Sequence, residues 1–102
     1  MNPETFTLDL GDGTRITARV NVAEIASLSA DKLPSVVAFN WEGPRQLHHW
    51  PRYLAWVKTV WQYVADHAGK SICSLMQPPK GQPFFVVYEP HKAPETVALP
   101  RR

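Results

Sequence analysis

His48, His49 and Cys73 are the side chains of this chain best suited to chemistry, and spacing decides what each can do. The two histidines are adjacent, so their imidazoles point in different directions. A helical zinc pair needs i,i+4 spacing, which turns both rings toward one ion. No His-Glu-x-x-His and no cysteine pair accompanies them, so no metal-ligand set is assembled. His67 and His91 lie far from each other in sequence, and nothing in their spacing joins them. Capping and surface hydrogen bonds account for these histidines more simply.

Cys73 would act as a nucleophile only with a histidine nearby to hold the thiolate. It stands within a strand-like run between Ile72 and Ser74, with no glycine elbow to present it. A small enzyme using His48, His49 or Cys73 is therefore an alternative, with catalysis not the favoured reading. Asp9 and Asp12, set among Gly11 and Gly13, superficially suit calcium. The alternating ligand series and the distal glutamate of a calcium loop are missing. Gly11-x-Gly13 opens no helix and so is no phosphate-binding fingerprint. No cofactor is called for by any of these patterns.

The aromatic cluster offers more. Trp41, Trp50, Trp56 and Trp61 all fall between residues 41 and 61. At about 100° per residue, Trp50, Tyr53, Leu54, Val57, Val60, Trp61 and Val64 share one helical face. Ala55, Lys58, Thr59, Gln62 and Asp66 occupy the other side. Trp56, Tyr63 and His67 flank the apolar face, close to Arg52. Such a strip suits either packing under a sheet edge or contact with a partner, since Trp, Tyr and Arg dominate interface hot spots. Arg52, Trp56, Tyr63 and His67 are accordingly the candidate interaction surface. Arg45, His48, His49, Arg52 and Lys58 with Trp56 form a nucleic-acid alternative. Its basic footprint is incomplete, because Glu42 and Asp66 dilute it and the charges need not share a face.

The elements that position these residues follow from periodicity and turn chemistry. Phe6, Leu8 and Leu10, then Ile16, Ala18, Val20 and Val22, alternate with polar residues around Gly11-Asp12-Gly13, which predicts a β-hairpin over residues 5–22. Residues 22–33 suit either a short helix or a turn of helix leading into a strand. Residues 35–41 are β-branched and aromatic, as a strand prefers. A long helix is predicted from Trp50 to His67, with Pro51 in its first turn and Gly69 and Lys70 after its end. Strands follow at residues 72–76 and 84–88, joined by a proline-stiffened loop. Phe84 to Tyr88 is apolar on both sides, as a central or partner-covered strand would be.

These elements predict an α+β fold, ββ-(short α)-β-α-ββ, in which an antiparallel sheet of about four to five strands packs against one long amphipathic helix. Residues 1–90 are expected to form a single domain, with 91–102 a flexible C-terminal tail rich in Pro, Lys and Arg. A chain of 102 residues with 44% hydrophobic and 20% charged residues can bury one core and is not disordered throughout. Its formal net charge of +2 gives no strong electrostatic partner. No apolar run approaches the roughly 18 residues of a membrane span. The first residues lack a signal pattern, and a lone cysteine gives no internal disulfide, so a cytoplasmic location is expected.

The expected function is therefore binding without catalysis. The chain reads as a small soluble interaction module, self-associating as a homodimer or built into a larger assembly.

Overall fold

A computed structural model describes residues 4–11, 13–25, 27–43 and 50–98. The chain is α+β, with two three-stranded antiparallel sheets packed on one long helix. The expected hairpin is present as β1 (Glu4–Asp9) and β2 (Arg15–Val20), with Leu8 opposite Ile16 and Phe6 opposite Ala18. The Leu10 amide donates to the Thr14 carbonyl at 3.0 Å, closing a turn in which Gly11 and Gly13 both take positive φ. That conformation costs a glycine little, because it has no Cβ to clash.

A short helix α1 (Val22–Ile25) and a 3-10 helix (Ala30–Val36) follow, then β3 (Val37–Glu42) pairs with β2. The ambiguous segment thus resolves as one turn of α-helix and about two turns of 3-10 helix leading into a strand. Both bury apolar anchors, with Ile25, Leu33 and Val36 enclosed. The helix α2 (Trp50–Ala68) buries Val57, Val60, Trp61, Val64 and Ala65. Gly69 follows with φ +65°, and its amide donates to the Ala65 carbonyl at 2.9 Å. Lys70 does more than complement the helix dipole. Its Nζ donates to the Leu28 carbonyl at 2.8 Å, tying the end of α2 to the segment after α1.

The second sheet contains β4 (Ile72–Met76), β5 (Phe84–Tyr88) and β6 (Glu95–Ala98), with β5 central. Here the structure corrects two expectations. The strands do not form one sheet of four to five, because β3 and β4 are edges of separate sheets that share a core through α2 and the 3-10 helix. Alternation tells which side of a strand is apolar, but not which strand lies beside it. Residues 95–98, expected to belong to a tail, form β6 instead. The free edge of β5 supplies backbone partners that a four-residue strand could not announce in sequence.

Both sheets turn one face toward α2. Ala18 and Val20 from the first sheet meet Val57, Val60 and Val64 of the helix, with Ile72, Met76, Val86 and Tyr88 from the second. A smaller cluster of Leu8, Leu10 and Ile16 is joined to this core by Tyr53 and Trp56. None of the described helices is long and apolar enough to cross a membrane.

Candidate functional site

The flank of α2 proposed from sequence is occupied from within. Arg52, Trp56, Tyr63 and His67 do form one stripe on the helix, but the first sheet lies against it. Trp56 is half-buried, meeting Phe39 of β3 edge-on at 6.0 Å and Tyr53 at 6.3 Å. Its indole Nε1 is enclosed with no hydrogen-bond partner. Tyr63 meets Phe6 of β1 edge-on at 5.2 Å and lies 4.0 Å from the His67 ring. Desolvation raises the Tyr63 hydroxyl pKa, and the Glu4 carboxylate adds to the effect.

Arg52 and His67 remain exposed at the two ends of the stripe. The Arg52 guanidinium donates to the Asp9 carbonyl at 3.0 Å, closing the helix onto the hairpin. His67 Nδ1 lies 2.9 Å from the Tyr63 carbonyl, within its own helix. The aromatic pair of the flank therefore packs partly against the sheet, while its polar ends are exposed. This is the physical outcome of a wide apolar helix face under a sheet edge.

Among the described residues the other sequence candidates do not converge. His48 and His49, together with Arg45, lie outside the described residues. Arg52 and Lys58 are six positions apart on α2, about 120° around its axis, so they serve different surfaces. Cys73 is exposed on β4 opposite Val87 of β5. No group of three or more His, Cys, Asp or Glu that could hold a metal occurs among the described residues.

The apolar surface lies elsewhere, on the second sheet. Ile72, Met76, Val86 and Tyr88 point into the core. By strand alternation Cys73, Leu75, Phe85, Val87, Glu95 and Val97 point outward. Register sets them in two rows across the sheet, Cys73–Val87–Glu95 and Leu75–Phe85–Val97. The second row is wholly apolar, with Leu75 58% and Val97 41% exposed. The outer face of the first sheet is different, carrying Thr5, Thr7, Arg15, Arg19 and Asn40 as a solvated surface should.

Among the described residues, two depressions lie against α2. One, of about 340 Å³, has Phe39, Trp50, Tyr53 and Trp61 along one part of its wall and Leu75 and Gln77 along another. Leu75 therefore links the outer face of the second sheet to the exposed Phe39. The other, of about 530 Å³, lies over the polar side of α2 between Phe6 and Pro94. Its Gln62 and Asp66 are committed to each other, with Gln62 Nε2 donating to Asp66 Oδ1 at 2.8 Å. Gln62 Oε1 has no partner but is sealed from solvent, so it offers nothing to a ligand.

Sequence periodicity found β5 but missed Leu75 and Val97. The signal was the second apolar side of Phe84 to Tyr88, which required some neighbour to share it. Only the strand register names those neighbours. No protein family, no curated protein and no solved structure matches the chain. What the described groups can do chemically is pack against another apolar surface.

Proposed function

We propose that this chain is a non-catalytic interaction module, and that it makes contact through the outer face of β4, β5 and β6. The observation that carries this is the Leu75–Phe85–Val97 row, apolar from one strand to the next, with Leu75 and Val97 exposed and Phe85 half-buried between them. A contiguous apolar patch on a small soluble domain generally marks a contact surface. The helix flank of Arg52, Trp56, Tyr63 and His67 is given up as the contact surface, because its aromatic rings are spent on the first sheet. Self-association is the simplest form such a module takes, and a place in a larger assembly uses the same surface.

Sedimentation of the native chain against Leu75→Lys tests this. The native chain should show a weight-average mass rising with concentration, and the variant should not. Thermal unfolding should be nearly the same in both, within about 0.5 kcal/mol, because Leu75 contributes little to the core. Cys73 is the only thiol of the chain, so its rate of modification should fall as the native chain associates. Association that survives Leu75→Lys unchanged would remove this face from consideration.

A further inference from the structure

We infer that the occupant of this face is a second copy of the chain, packed sheet against sheet with its strands running end for end against the first. The inference rests on the contact reading above and adds the partner and its orientation. Two observations carry it, and the area of the face limits its strength.

The first is the self-complementarity of the apolar row. A two-fold axis running across the strands at the level of Leu75, Phe85 and Val97 sets each of these residues against its own counterpart. A contact of that kind uses one patch twice, as dimers of identical chains do. Packed sheets lie about 10 Å apart with their side chains interdigitated, which suits residues of this size.

The second is charge. The ends of the face differ in sign. Glu95 stands at one end, in the row of Val87. Glu89 is close by with its carboxylate 3.3 Å from Lys92, and Lys70 at the same end turns its Nζ to the Leu28 carbonyl, so Glu95 is the charge that the outer face itself presents there. Lys80 is exposed at the other end, in the loop between β4 and β5. An axis across the strands brings Glu95 of one copy toward Lys80 of the other. An axis along the strands would keep each end against its like, with Glu95 of one copy over β4 of the other and far from its Lys80. Rim charges of this kind select orientation more than they add affinity.

Area sets the limit. Two strands of five residues and one of four present a face of roughly 14 by 17 Å, well short of the roughly 800 Å² per partner of a stable interface. The face alone thus supports a weak, concentration-dependent pair. Continuation past Leu75 onto Phe39 is the available way to enlarge it.

The test is charge reversal followed by mixing, at low ionic strength where rim charges are least screened. Lys80→Glu alone and Glu95→Lys alone should each weaken self-association by about fivefold. Mixing the two variants should restore it, since each supplies the charge that the other lacks. A native dimer that neither reversal weakens and mixing does not change would overturn the orientation and leave the contact face standing. A native chain that stays monomeric at millimolar concentration, with Cys73 freely reactive throughout, would overturn the second copy as occupant and the self-association reading beneath it.

Discussion

Asp66 Oδ1 accepts the backbone N–H of His91 at 2.6 Å, fastening the turn between β5 and β6 to α2. The same oxygen accepts Gln62 Nε2, which also donates to the Glu89 carbonyl at 2.7 Å. His91 occupies the left-handed region with φ 60°, a conformation that costs a residue with a Cβ some energy. The Asp66 carboxylate holds the turn in that shape, and the turn in turn delivers β6 to β5.

The donated N–H of His91, and then Gln62, lower the Asp66 pKa below the ordinary 3.8. A carboxyl group whose pKa falls on folding stabilises the fold above its unfolded value and loses that contribution as pH drops through the folded one. Asp66→Ala should cost about 1 kcal/mol at neutral pH, since a charge-assisted bond at a partly exposed site is discounted by solvent. The cost should begin to shrink below about pH 3.8 and vanish as the pH falls through the lowered value of the folded carboxyl. Urea unfolding of both chains across pH 2 to 7 measures this; a cost independent of pH would rule out the carboxylate as its source.

Trp56 should behave as a packing residue. Trp56→Ala should lower stability by about 3 kcal/mol or more, as large-to-small changes in a core do. Trp56→Phe should cost much less, because it also removes an enclosed indole N–H that has no partner. If Trp56→Ala instead left the melting temperature unchanged, the helix flank would have to be reconsidered as a surface.

Gly43 follows β3 with φ +82°, and a Cβ there would collide with the Gly13 carbonyl oxygen. Backbone thus passes directly against backbone where the hairpin turn meets the end of β3. Gly43→Ala should destabilise by about 2 kcal/mol or more, from the left-handed φ and the collision together. Thermal unfolding is sufficient to see it. Gly69→Ala makes the comparison, since it has a positive φ but nothing within 4 Å of the added methyl, and should cost less.

Lys70 joins two parts of the chain that sequence keeps well apart. Lys70→Met retains most of the apolar stem but strips the Leu28 carbonyl of its donor. A loss of about 1 kcal/mol is expected, with faster amide exchange between residues 27 and 33. Unchanged exchange there would show that the carbonyl finds another donor.

By itself the sequence determined everything that depends on local pattern. The hairpin followed from matched alternation around Gly11-Asp12-Gly13, and the start, end and buried face of α2 followed from Pro51, Gly69 and the 3.6-residue period. The apolar second side of β5 was legible too, because two faces can be read from a single strand. Tertiary structure alone decided which strands are neighbours, since backbone pairing does not depend on side-chain identity. It divided the strands into two sheets, recruited residues 95–98 to the free edge of β5, and swung the first sheet over Trp56 and Tyr63. It also set Leu75 and Val97 beside Phe85 on the open side of the second sheet. An apolar residue looks the same in sequence whether it is enclosed or exposed; only the packing around it separates core from surface.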